Sequence, residues 1–142
     1  MFSKEKSHLV VVTGVTRRQI WHVWQDINNW HKWDHDIEWA RLKDPFITGS
    51  NFELKPRSGP KVNIQLHDVE FEQGFTDFCQ FPLARMYSIH KMRESDDGVE
   101  VSHTIRIEGL LAHLWWQLVG KHIAAGMSQH TEAMIEHARL HE

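Results

Sequence analysis

The chain has 142 residues, 41% of them apolar and 25% charged, with a net charge of −3. That size and balance fit one globular domain over residues 1–142 and exclude a disordered segment. The acidic balance argues against a general nucleic-acid surface, and no apolar run approaches the roughly 20 residues that span a bilayer.

Cys79 is the only cysteine, which leaves no intrachain disulfide and no thiolate zinc cage. The first residues lack the pattern of a signal peptide, so a cytoplasmic location is expected. Twelve histidines and seven tryptophans stand out. The histidines follow no repeat, and most read as scattered surface residues. Seven tryptophans imply thick aromatic packing or the wall of a pocket.

Ser7 to Thr13 is rich in β-branched residues and predicts a strand, which Gly14 ends. Thr16 and Gln19 form a capping box, and Ile20, Val23, Trp24 and Ile27 follow at helical spacing, so Thr16 to Asp26 predicts a short amphipathic helix. A second short helix is predicted from Ile27 to Trp33, with Trp30 and Trp33 on one side. Strands are then predicted over Asp36 to Lys43, Ser50 to Lys55, Lys61 to Glu70, Phe75 to Phe81, Ala84 to Glu94 and Val99 to Glu108. The breaks carry turn residues, among them Pro45, Gly49, Gly59-Pro60, Gly74, Pro82 and Asp97-Gly98. Such short joins make antiparallel hairpins. Leu110 to Leu140 contains no proline and predicts one helix of about eight turns. Gly120 and Gly126 lie inside it, each costing about 1 kcal/mol relative to alanine unless close packing or a bend offsets it.

The expected architecture is α+β. A curved antiparallel sheet of about seven strands wraps around the long C-terminal helix, and two short helices after the first strand close one end. A long sheet with one polar face needs a cover, and only the terminal helix is large enough. Between them lies room for a pocket.

Turn chemistry fixes which residues face that pocket. A two-residue hairpin at Pro82-Leu83 pairs Phe81 with Ala84, Cys79 with Met86, Asp77 with Ser88 and Phe75 with His90. A turn at Asp96-Asp97 pairs Met92 with Val101 and His90 with His103. Paired side chains share a face. The inner face therefore holds Phe75, Cys79, Phe81, Met86, Met92, Val99, Val101, Ile105 and Ile107, extended by Phe52, Leu54, Val62, Ile64 and Leu66. Arg85, Lys91, Arg93, Glu100, Ser102, Arg106 and Glu108 face water.

Four polar residues interrupt the inner face: Asp77, Ser88, His90 and His103. Buried polar groups must be paired, hydrated or touched by a ligand. The plainest account is a hydrogen-bonded cluster. Direct contact with a hydroxyl or carbonyl of an apolar ligand comes next, and acid–base chemistry last. A triad of Asp77, Ser88 and His90 lacks an elbow for the serine and an oxyanion hole. A second group, His31, Asp34, His35 and Asp36, offers an i, i+4 histidine pair that can chelate a divalent metal. It is not a zinc signature and reads better as a surface junction, so no metal site is assigned.

Three segments carry a resemblance: IWHVWQDINNWHKWDHDI, DPFITGSNFELKPRSGP, and YSIHKMRESDDGVEVSHTIRIEGLLAHL with His90, His103 and Gly109. Across its whole length the chain resembles the START-like (SRPBCC) superfamily, and within it the bacterial polyketide cyclase/dehydrase and lipid-transport group. The resemblance implies a helix-grip fold and binding or transport of a small hydrophobic ligand, such as a lipid, isoprenoid or polyketide-like aromatic. The expected contacts are Asp77, Ser88, His90, His103, Phe75, Cys79, Met86, Met92, Val101 and Ile105. Two alternatives stay open. One is an enzyme of the cyclase/dehydratase type, in which His90 or His103 steers a reactive chain. The other is a protein-interaction module with an incidental cavity. No phosphate loop, nucleotide fingerprint or haem motif is present, so no cofactor is implied. Expected partners are the small ligand and, as an open option, a second copy of the chain, without nucleic acid or stable membrane insertion.

Overall fold

The computed structural model describes residues 2–141. Strand β1 (Ser3–Val12) starts four residues before its β-branched stretch. Lys4, Glu5 and Lys6 have little strand preference of their own, but the neighbouring strand supplies hydrogen bonds from Ser3↔Glu108 onward. Helix α1 (Arg17–Gln25) opens with the expected capping box, the Thr16 side chain accepting from the Gln19 amide and the Gln19 side chain accepting from the Thr16 amide. A 3-10 helix follows over Ile27–Lys32. Its three-residue period eclipses positions i and i+3, which brings Trp30 and Trp33 together with ring centroids 6.4 Å apart.

Strands β2 (Ile37–Arg41), β3 (Asn51–Pro56), β4 (Val62–Glu70), β5 (Gly74–Phe81), β6 (Ala84–Ser95) and β7 (Gly98–Glu108) complete an antiparallel sheet in the order β1-β7-β6-β5-β4-β3-β2. β2 is shorter than predicted at both ends. Its C-terminal side stops where the Asn28 side chain takes over the Leu42 main chain, accepting from the amide at 2.7 Å. The β5–β6 and β6–β7 registers are those read from the two turns: Asp77↔Ser88, Phe75↔His90 and His90↔His103.

The C-terminal segment differs from the single regular helix that the sequence predicts. Helix α2 (Ala112–Trp115) runs into a π-helical turn (Trp116–Gly120) and then α3 (Lys121–Arg139). Gly120, the last residue of that turn, is closely packed. A Cβ there would lie 2.5 Å from the Trp116 ring and 2.9 Å from Ile107 Cδ1. Gly126 has no such reason, because nothing lies within 4 Å of a Cβ at that position. The close-packing explanation holds for the first glycine and fails for the second. No helix among the described residues is long and apolar enough to cross a membrane.

The interior is split. One apolar cluster gathers Trp21, Trp24, Trp30, Trp33, Phe52, Phe75 and Met92 beneath α1 and the 3-10 helix. A smaller one joins Ala84, Ile107 and Ala112, flanked by Phe81, Met86, Trp115 and Trp116. Asp77, Ser88 and His103 belong to neither. Leu54, Ile64, Met86 and Ser88 face the helix by alternation yet keep partial exposure, so space for water remains along this middle stretch of the concave wall.

The two glycines give a paired test. Gly126→Ala is expected to stabilise the fold by up to about 1 kcal/mol, and Gly120→Ala to destabilise it through the clash with Trp116. Urea unfolding followed by tryptophan fluorescence reads both signs; a stabilised Gly120→Ala would contradict the crowding at the π turn.

Candidate functional site

The register places a row of rings across three adjacent strands. Phe75 on β5 stacks on His90 of β6 with centroids 4.2 Å apart, and His90 stacks on His103 of β7 at 4.3 Å. Ser88, two residues before His90, points to the same face and bridges the imidazoles. Its Oγ lies 3.1 Å from His90 Nε2 and 2.8 Å from His103 Nε2. A hydroxyl has one proton, so it donates to one imidazole while accepting from the other, and the two rings carry opposite tautomers.

The triad reading fails on geometry. Asp77 Oδ2 lies 3.8 Å from His90 Nε2, the same nitrogen that meets Ser88. A relay needs the acid and the serine on opposite ring nitrogens. Burial pushes Asp77 up to about 7, opposed by the charge of a protonated His130. Burial likewise pulls His90 down to about 3, and His103 falls well below its ordinary value for the same reason, with His90 and His130 adding to it. Near pH 6 both Asp77 and His90 are neutral, and their contact is not an ion pair. Burial, followed by the Asp77 charge, raises the Cys79 thiol to about 12, so it is no nucleophile.

One atom of this row has no partner. His103 Nδ1 is buried without a hydrogen bond among the described residues. Over it sits His130 of α3, its ring centroid 5.4 Å from that of His103. His130 Nδ1 meets Asp34 Oδ2 at 3.1 Å, and Trp33 packs edge-on against its ring at 5.1 Å. Burial alone raises Asp34, yet the hydrogen bond and charge of His130 hold it below its ordinary value.

With this geometry in place, comparison with known proteins is informative at one level. No family model matches the sequence, and no curated protein matches it. Solved structures do. The hypothetical protein jhp0584 of Helicobacter pylori superposes with a TM-score of 0.77 at 11% identity, covering 95% of this chain and 88% of that one. Norcoclaurine synthase from Thalictrum flavum, solved with dopamine and hydroxybenzaldehyde, gives 0.75 at 10% identity over 99% and 89%. A START superfamily protein from Mycobacterium smegmatis gives 0.66 at 12% over 94% and 97%. The fold is START-like, a helix-grip. The resemblance read in the sequence holds at that level. The di-domain ARO/CYC protein StfQ of the steffimycin biosynthetic pathway shares the fold too (TM-score 0.71, 8% identity), with 97% of this chain matched to half of that one.

Within the helix-grip, Asp77, Ser88, His90 and His103 are brought together as the register requires. Phe75, Met92 and Val101 are absorbed into the larger apolar cluster, and Cys79 and Ile105 are buried on the same face. Met86 packs against the smaller cluster at the other end. His130 is the residue that the sequence reading misses. Its signal was present, since it lies three residues after Met127 and four before Met134, beside the buried stripe of α3. Sequence spacing sets Asp34 beside His31 and His35 as a possible metal ligand, but its side chain turns to His130 instead. The helical pair does not exist as such: the 3-10 helix ends at Lys32, and His35 lies in the following turn. No group of three or more potential metal ligands occurs among the described residues.

A hollow of about 270 Å³ is lined by the outward-facing Asp68, Glu70, Lys91, Arg93 and Glu100 and also by Phe75, His90 and Met92. Its charged walls do not suit a wholly apolar molecule, although His90 of the polar row belongs to its lining.

The buried row predicts a particular pH dependence. Below about pH 6.5 an unfolded chain protonates its histidines, whereas burial holds His90 near 3 and His103 well below its ordinary value in the folded chain. Asp77 works the other way, holding its proton in the folded chain up to about 7 and releasing it above 3.8 when unfolded. The two histidines make the unfolded state bind more protons, so stability falls as pH is lowered, with Asp77 opposing the trend. His90→Phe is expected to flatten this slope and Asp77→Asn to steepen it, in urea midpoints from pH 6.5 to 5. Equal slopes in all three proteins would show that these groups are not buried as described.

Proposed function

We propose that the protein binds a small hydrophobic molecule against the concave wall, with one oxygen-bearing group of that molecule held by Ser88 and His103. The observation that carries this reading is the half-satisfied polar row set between two apolar clusters. A buried polar atom without a partner costs about 1–3 kcal/mol, and a ligand hydroxyl or carbonyl at His103 Nδ1 or Ser88 Oγ recovers part of it. The flanking apolar residues supply the affinity, and the row supplies the orientation. Fold neighbours support the reading by analogy, since norcoclaurine synthase was solved with two small aromatic molecules. Residues 1–142 act in this proposal as one START-like domain with a cytoplasmic place of work. Lipid, isoprenoid and polyketide-like aromatic ligands all meet these requirements.

A matched pair of ligands tests the polar contact. Calorimetric titration is expected to show 2-naphthol binding more tightly than naphthalene by about 2- to 10-fold, the worth of one net hydrogen bond. Ser88→Ala should erase the difference while retaining binding of naphthalene. Equal affinities in the unmodified protein, or no binding of either, would sink the proposal. Native mass spectrometry of protein purified from its own host is expected to show a co-purified apolar molecule.

A further inference from the structure

The arrangement that Asp77, Ser88 and His90 fail to make is made elsewhere on the same wall. Asp34 meets His130 at Nδ1, which leaves Nε2 on the far side of the ring without a protein hydrogen bond among the described residues. Both carboxylate oxygens of Asp34 are assigned: Oδ2 to His130, and Oδ1 to the Asp36 amide at 3.0 Å. The Asp34 amide is itself fixed, donating to the Trp30 carbonyl at 2.9 Å. The imidazole is therefore held by Asp34 on one edge, by Trp33 against its ring, and by His103 below. Its side chain keeps 30% exposure, so it exchanges protons with solvent. An acid-held imidazole with a free Nε2 is the working half of a general base.

We propose that Asp34 and His130 form a proton-transfer dyad, with His130 Nε2 the base toward an enolisable carbonyl compound anchored at Ser88 and His103. The proposal rests on the ligand-binding reading above, and adds a reaction and a substrate class to it. In the step, the C–H bond next to the carbonyl breaks and its proton passes to Nε2. The electron pair forms the C=C bond of an enolate, and the former carbonyl oxygen takes the negative charge. That oxygen accepts a hydrogen bond from His103 Nδ1, which carries the ring proton when Ser88 gives its one proton to His103 Nε2. Asp34, as the positioning residue, steadies the imidazolium. Return of a proton from Nε2 to carbon completes the cycle with no other reactant. The charged and titratable groups that face His130 are Asp34 at the 3-10/β2 junction, His103 on β7, and, through His103, Asp77, His90 and His8 on β5, β6 and β1.

The test uses 2-tetralone, an apolar ketone with exchangeable protons beside its carbonyl, and the full chain in deuterated buffer. Proton NMR follows loss of the α-proton signals, and calorimetry measures binding separately. The unmodified protein is expected to accelerate exchange above free imidazole at equal concentration. His130→Gln should lower the rate at least about 100-fold with binding retained. His122→Gln, an exposed histidine on the same helix, should leave it unchanged. Asp34→Asn should move the acid limb of the rate profile to lower pH, because the imidazolium loses its counter-charge; an unmoved limb removes Asp34 from the mechanism. Bound 2-tetralone that exchanges no faster than with imidazole, or equally fast in His130→Gln, overturns the dyad and leaves the binding site standing. If 2-tetralone does not bind at all, both readings fall.

Discussion

Two imidazoles stacked 4.3 Å apart on neighbouring strands, with one serine hydroxyl between their Nε2 atoms, set the terms for the rest of this molecule. The contact exists because β5, β6 and β7 pair in a register that puts Asp77, Ser88, His90 and His103 on the helix side of the sheet. A slip of one residue would turn all four into water and bring Lys91, Arg93 and Glu100 inward. Two short turns prevent that slip, and the apolar residues that alternate with the outward charges enforce it. Burying the row has a cost, because imidazoles that stay neutral and a carboxyl that keeps its proton have given up favourable hydration. Natural cores seldom carry such a group unless something pairs with it. Here the pairing is incomplete at His103 Nδ1.

The split interior follows from the same row. Aromatic bulk fills the end beneath α1 and the 3-10 helix, where Trp24 and Phe75 both contact the His90 ring. At the other end Gly120, which closes the π turn, leaves room for the Trp116 ring and for Ile107 of β7. Asp77, Ser88 and His103 lie between the two clusters, together with the buried Cys79 and Ile105. The helix-grip is thus closed at its ends and unsettled at its centre, which is where His130 enters from α3 with Asp34 behind it. The two acids on this wall have opposite fates. Asp77, without a cation in contact, is raised by burial; Asp34, bonded to His130, is lowered. One is suited to donate a hydrogen bond, the other to hold a positive imidazole.

Much of this was legible in the sequence where the physics is local. Pro82-Leu83 and Asp96-Asp97 each leave a two-residue loop, and a two-residue loop fixes strand parity without any knowledge of the fold. The capping box at Thr16 is similarly self-contained. The limits appear where a distant partner decides. Lys4 to Lys6 form strand only because β7 is beside them, and the glycine at position 120 answers to Ile107 on another strand. His130 was overlooked because helix periodicity gives the buried stripe but not how the helix is rotated over the sheet. Asp34 was read with its sequence neighbours His31 and His35, whereas its true partner lies on the last helix. A histidine beside a methionine stripe and an acid next to a buried tryptophan were the two available hints.

The central claim is that a ligand's polar group meets this row, and imidazole nitrogens report on it directly. Nitrogen–proton NMR of the side chains during titration with 2-naphthol should move the His103 and His90 signals. Those of His113 and His122, exposed on the C-terminal helical segment, should stay in place. Unmoved His90 and His103 signals at saturation would contradict the account.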